Sequence, residues 1–134
     1  EREECIPIIK NNHLEPFVIL HGQLHGASLD ILFERCDLGV GSLGRHRSGI
    51  TNIKTLKNRE YAARGIPFIY SEIDEDFETM PYIMKIPANE SSVDIQQVIN
   101  FHNKIDLTPT KIRESIKQLS WKEQMKKVIT SIKI

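Results

Sequence analysis

The sequence predicts an α/β domain built on a parallel sheet, and three observations lead there. Short apolar runs bounded by Gly or Pro occur at residues 17–21 (FVILH), 37–42 (DLGVGS) and 66–70 (IPFIY). Continuous hydrophobicity of that kind belongs to strands buried on both faces. Between the runs, apolar residues recur at helical spacing: Leu29, Leu32, Phe33 and Cys36 in the first gap, Ile53, Leu56 and Ala63 in the second. Strand–helix–strand alternation requires right-handed crossovers, with helices on the faces of the sheet. The expectation is a Rossmann-like three-layer α/β/α architecture, residues 1–134 forming a single domain that ends in helices over 109–134.

Composition narrows the function classes. A chain of 134 residues buries one core. Lys plus Arg and Asp plus Glu are equal at 18 each, so bulk charge argues for neither nucleic acid nor an anionic membrane. Cys5 and Cys36 form no spaced framework and read as free thiols in a reducing compartment. No apolar run approaches the ~20 residues that cross a bilayer, and no signal peptide is visible. These features predict a soluble, cytoplasmic protein. The chain opens without Met in a helical-looking stretch, so it reads as a fragment of something longer.

The elements follow in order. Residues 1–12 are a charged start with Pro7 interrupting any helix. The strand at 17–21 ends at Gly22, and the loop 22–26 is either a plain turn or a ligand contact. A helix over 28–36 leads to the strand at 37–42. Gly41, Gly44 and Gly49 then punctuate a loop carrying Arg45, His46 and Arg47. A helix opening near Asn52 would aim its free N–H groups back at that loop, a physical recipe for holding phosphate. The alternative is a solvated loop.

Glu60 falls in the middle of that helix's apolar stripe, so it needs a partner. Either it pairs with Lys57 one turn earlier or lies at the stripe's exposed edge, or it takes the hydroxyls of a ribose at the C-terminal end of the sheet. Past Tyr70, Glu72, Asp74, Glu75, Asp76 and Glu78 lack the spacing of a Ca²⁺ loop and read as a solvated acidic segment. A short strand at 82–86 precedes a helix capped by Ser92, with Ile95, Val98, Ile99 and a structural His102 on one face. Thr108-Pro109 opens the next helix, whose apolar face is Ile112, Ile116 and Leu119. Ser120 and Glu123 form a capping box for a last helix with Trp121, Met125, Val128 and Ile132 in a stripe.

Other chemistries lack their residues. The five histidines show no zinc-ligand spacing, and neither a nucleophile elbow nor a P-loop is present. Gly39-x-Gly41-x-x-Gly44 matches a dinucleotide fingerprint as a string, but its first Gly lies inside the strand and the expected helix opens about eight residues too late.

The segment LKNREYAARGIPFIY resembles the donor-site segment of glycosyltransferases with two Rossmann-like domains, the GT-B fold. The likeness runs from about Phe17 to the Trp121 helix. It rests on the order strand, glycine loop, Lys/Glu helix, Gly65-Ile66-Pro67, strand. In the retaining bacterial branch two Glu stand eight positions apart; Glu60 matches the second, and Asn52 stands at the first. The resemblance implies that the chain is the C-terminal, donor-binding half of a transferase. The acceptor domain and the first βα units would lie upstream, and the isolated piece would be inactive.

It also implies a donor-binding set of Gly22, Gln23, Ser42, Arg45, Asn52, Thr55, Leu56, Lys57 and Glu60. Gly22 and Gln23 would lie beside the base, Glu60 on the ribose. The helix start at Thr55 and Leu56, with Lys57 and the loop arginines, would stabilise the leaving diphosphate. No catalytic residue is assigned. Neither metal nor cofactor is expected, a nucleotide-diphosphate sugar being the substrate. The acceptor would be a glycan or a lipid-linked glycan, as in surface polysaccharide synthesis, with peripheral membrane association of the full-length enzyme and no nucleic-acid partner. Two alternatives stand beside this: a sugar-nucleotide 2-epimerase of similar architecture, and a non-catalytic module that binds a nucleotide or a protein.

Overall fold

A computed structural model of the chain describes residues 2–132, which form a mixed α/β structure of six α-helices and a three-stranded parallel sheet. Two compact units divide it, residues 1–35 and 36–134. No helix among the described residues is long and apolar enough to cross a membrane.

The first unit holds α1 (Arg2–Asn11) and α2 (Gly26–Glu34). Pro7 lies inside α1 and does not end it, contrary to the expected interruption. It removes one N–H donor and crowds the carbonyl four residues back, yet Asn12 continues the ladder by donating its N–H to the Ile8 carbonyl at 3.2 Å. Residues 17–21 are not a strand. The N–H groups of Phe17 and Val18 both turn back to the Leu14 carbonyl at 2.9 Å, and Phe17 is 81% exposed. An apolar run becomes a strand only where another strand completes its ladder, and none of the described strands pairs with it. α2 starts at Gly26 rather than residue 28 and ends before Cys36; Leu29, Leu32 and Phe33 are half-buried.

The second unit contains the sheet: β1 (Gly39–Val40), β2 (Phe68–Tyr70) and β3 (Ile83–Lys85), in that spatial order and all parallel. Gly39 pairs with Phe68, and Phe68 with Ile83. Alternation along β2 sends its side chains to two cores. Phe68 and Tyr70 join Ile53, Ala62, Phe77, Tyr82, Ile112 and Ile116 on one side, while Ile69 meets Ile86 and Val98 on the other. Phe68 is the hub of the first core. Its ring centroid lies 5.3 Å from Phe77 edge-on, 5.7 Å from Tyr70 and 5.8 Å from Tyr61, arrangements that add to the roughly 1.5–3 kcal/mol gained by burying a large apolar side chain.

Helix α3 (Leu56–Arg64) makes the crossover from β1 to β2 and starts four residues later than expected. Residues 51–53 instead lie alongside Ile73: Asn52 bridges it in parallel, and the Ile53 N–H reaches the Ile73 carbonyl at 2.8 Å. Thr55 then caps the helix by accepting the Asn58 N–H. The shift in start rotates the buried face to Asn58 and Ala62; Leu56 and Ala63 are exposed, and Ile53 is buried outside the helix.

Gly65 ends α3 in the left-handed region (φ 77°), and a Cβ there would lie 2.5 Å from the Pro109 carbonyl oxygen. The Gly-x-Pro turn thus lets the next helices pack closely.

Three helices close the chain. α4 (Ile95–Lys104) is capped by Asp94 rather than Ser92, and of its expected stripe only Val98 is buried. α5 (Pro109–Ser115) has the Thr108 cap and N1 proline the sequence predicts; Ile112 and Ile116 are buried, and Leu119 packs beside them. α6 (Trp121–Ser131) starts at the Ser120 cap as expected, with Glu123 paired to Lys126. Its stripe faces outward: Trp121 is 80% exposed, and Met125, Val128 and Ile132 are exposed with it.

Candidate functional site

Parallel strands deliver their following loops to one edge of a sheet, and here those loops are tied together by carboxylates. The chain leaving β1 enters a short 3-10 turn, Arg45–Ser48, closed by Gly49 at φ 68°. The chain leaving β2 places Glu72 beneath that turn, 2% exposed, with Oε1 accepting the Arg45 N–H at 2.8 Å. The Ser42 carbonyl accepts both the N–H and the hydroxyl of Ser71, at 3.0 and 3.1 Å. Burial pushes the Glu72 carboxyl up. Hydrogen bonds from its own N–H and that of Arg45, aided by the Ser71 and Ser42 hydroxyls, outweigh burial and hold it below the ordinary range.

A second carboxylate joins the loops after β1 and β3. Glu90 takes Arg47 in a two-pronged pair, Nε to Oε1 at 2.8 Å and a terminal nitrogen to Oε2 at 2.5 Å, while His46 Nε2 meets Oε1 at 2.9 Å. The Arg47 hydrogen bond, then that of His46, pulls the Glu90 carboxyl down to about 2. A cavity of about 280 Å³ adjoins this clamp, bordered by Leu43, Gly44, Asn89 and Ser91.

The acidic segment is not the solvated loop the sequence suggests. Asp74 is fully buried, accepting Asn58 Nδ2 at 3.1 Å and Arg59 at 3.2 Å, and Arg59 also grips Asp76. The Glu78 Oε1 receives the Tyr70 hydroxyl at 2.8 Å, Lys85 at 2.9 Å and the Asp74 N–H at 3.0 Å. Lys85 also donates to the Glu72 carbonyl and lies over the Tyr70 ring. The buried Asp74 carboxylate is matched by Asn58 and Arg59 from α3, whereas Glu72 keeps one oxygen, Oε2, buried without a partner. Spacing is the one signal the sequence offered, and only over residues 72–75: Glu72 and Asp74 are buried with Ile73 and Glu75 exposed, and the alternation ends at buried Phe77 and exposed Glu78.

The expected donor-binding residues separate into groups. Gly22, in the left-handed region at φ 70°, and Gln23 belong to the first unit. Ser42 and Arg45 are brought together around Glu72, which takes the Arg45 N–H. Asn52 donates to the Thr51 hydroxyl at 3.1 Å and borders a smaller cavity of about 190 Å³ with Ile53, Lys54, Ile73 and Glu75. Thr55, Leu56 and Lys57 form the first turn of α3. Leu56 is 82% exposed, and Lys57 is exposed without an ion pair among the described residues.

Glu60 is exposed on the same side of α3, not buried in its stripe. It pairs with Arg64, at 3.2 Å from both Nε and a terminal nitrogen, rather than with Lys57. The described residues contain no group of three or more His, Cys, Asp or Glu placed to hold a metal ion. No known family's sequence profile, no curated protein and no solved structure matches the chain.

Proposed function

We propose that this chain is the donor-binding part of a glycosyltransferase that uses a nucleotide-activated sugar, its α/β structure being the Rossmann-like, three-layer C-terminal half of a GT-B fold. The observation that supports this best is the outward face of α3. A Thr55-capped helix emerges from the loop after a parallel strand and presents uncapped N–H groups at Leu56 and Lys57. The Lys57 ammonium and, one turn on, the Glu60 carboxylate are open to solvent beside them.

A helix start with a nearby cation stabilises the negative charge that develops on a departing diphosphate. A carboxylate one turn along suits a pair of ribose hydroxyls. In this reading the acceptor, a glycan or lipid-linked glycan, is held by another domain, and the chain alone transfers no sugar.

The test is an amide NMR titration with UDP, GDP, ADP and CMP. Saturable shifts from one nucleotide at residues 52–60, lost in Glu60→Ala, are the expected result; no localised shift with any of the four contradicts the reading. A second reading, a protein-binding module, is favoured by the exposed Trp121 stripe of α6. In that case Glu60→Ala leaves every ligand titration unchanged, and Trp121→Ala abolishes a protein contact.

A further inference from the structure

We propose that Arg47 and His46 form an oxyanion seat for a phosphate group, and that the Glu90 carboxylate occupies that seat as a displaceable internal substitute. The proposal deepens the nucleotide-sugar reading and rests on it only for the identity of the molecule that carries the phosphate.

The guanidinium fork of Arg47 engages both oxygens of Glu90, a geometry that fits two phosphate oxygens equally well. His46 adds a third contact through Nε2; its Nδ1 is buried and unpartnered, so Nε2 is the ring's sole bonding atom here. Three such contacts on one exposed carboxylate hold its charge firmly, in keeping with the low pKa of Glu90.

Glu90 and Glu72 differ in what would follow their removal. Glu72 is 2% exposed and part of the packed edge of the sheet. The Glu90 side chain is 64% exposed, and its hydrogen bonds go only to His46 and Arg47, so it can leave without opening a hole in the core. The adjoining cavity of about 280 Å³ has room for a phosphate together with several waters, each needing about 30 Å³. Asn89 and Ser91 lie along its rim, where the Ser91 N–H and hydroxyl both donate to Asn89 Oδ1 and the Asn89 amide nitrogen is the donor left for a ligand. The Arg45 side chain, two residues before Arg47, has no ion pair among the described residues, so with Glu90 moved aside the two arginines of this loop face only the buried Glu72 carboxylate. The seat lies at the ends of β1 and β3 from which loops of parallel sheets take up ligands.

The test is an amide NMR titration of the whole chain with inorganic phosphate at constant ionic strength, run on wild type, Glu90→Gln and Arg47→Gln. Both altered side chains are exposed, and retained spectral dispersion checks that the variants fold. Saturable shifts at residues 43–47 and 89–91 are expected, tightened about two- to fivefold by Glu90→Gln, the strength of an exposed ion pair, and lost in Arg47→Gln. Shifts that chloride reproduces, or a Glu90→Gln variant that binds no tighter than wild type, overturn the proposal. So does binding that survives Arg47→Gln. Parallel arms with UDP, GDP, ADP and CMP and with Glu60→Ala separate the two ideas: phosphate binding without shifts from any of the four nucleotides at residues 52–60 keeps the seat and removes the nucleotide reading.

Discussion

The Glu72 carboxylate accepts the backbone N–H of Arg45 at 2.8 Å, so the loop leaving β1 is anchored to the residue that follows Ser71 at the end of β2. A buried side-chain carboxylate thereby takes up a donor that a glycine-punctuated loop would otherwise turn toward a ligand. Replacing Glu72 by Ala leaves the Arg45 N–H without its acceptor, and a cost of about 1–3 kcal/mol is expected. Urea unfolding measures it; a loss below half a kcal/mol would show that the tie contributes little.

The depressed carboxyls make the fold acid-sensitive in a defined window. A carboxyl whose folded pKa lies below its unfolded value binds fewer protons when folded. Its stabilisation is therefore complete above the unfolded pKa, about 4.3 for Glu, and disappears as pH falls through the folded one. Glu72 and Glu78 are both lowered: burial raises each, but the Arg45 N–H and neighbouring hydroxyls overcome it at Glu72, and Lys85 and Tyr70 overcome it at Glu78. Glu90 titrates near 2. The urea midpoint should be flat from pH 7 to 5 and fall steadily below about 4.3. A midpoint unchanged down to pH 2.5 contradicts this assignment.

The aromatic hub gives a packing prediction. Phe68 is fully buried against Tyr61, Tyr70, Phe77 and Tyr82. Phe68→Ala should cost about 3–5 kcal/mol, and Phe68→Leu, which loses the ring contacts but keeps most of the buried volume, should cost clearly less. Equal losses for the two would mean that the site collapses freely and the hub is not tightly packed.

Two glycines make a matched pair for the turn after α3. Gly65 has φ 77°, and an added Cβ would lie 2.5 Å from the Pro109 carbonyl oxygen, whereas a Cβ on Gly44 meets nothing within 4 Å. Gly65→Ala should lower the melting temperature clearly, by more than the roughly 1–2 kcal/mol of left-handed backbone strain alone, while Gly44→Ala should be near neutral. Similar melting temperatures for the two variants would remove the packing role of the Gly-x-Pro turn.

Local signals carried much of this structure into the sequence. The Phe68–Tyr70 strand, the Thr108 and Ser120 caps and the Pro109 helix start depend on residues within a few positions of one another, and they lie where the pattern predicts. The misplaced elements depend on distant partners. The apolar run at 17–21 has the composition of a strand, yet its N–H groups go to Leu14. The start of α3 is displaced because residues 51–53 find Ile73, twenty residues or so away, as a backbone partner.

Lys57 and Glu60 lie on one exposed helix face, as their i,i+3 spacing requires. The helix phase read from Ile53 buried Glu60 wrongly, because Ile53 is not in the helix. The acidic segment was read as solvated because its partners Asn58, Arg59, Tyr70 and Lys85 come from α3, β2 and β3, and only the folded chain brings them together.

Glu60→Ala tests the central claim most directly, measured for stability and nucleotide binding in the same preparation. An exposed i,i+4 pair such as Glu60–Arg64 contributes only about 0.3–0.5 kcal/mol, so the melting temperature should hardly move. The account predicts that the variant keeps the wild-type melting temperature and loses the saturable shifts of one nucleotide at residues 52–60. A variant that binds every nucleotide as wild type does, or a wild type that binds none, would contradict it.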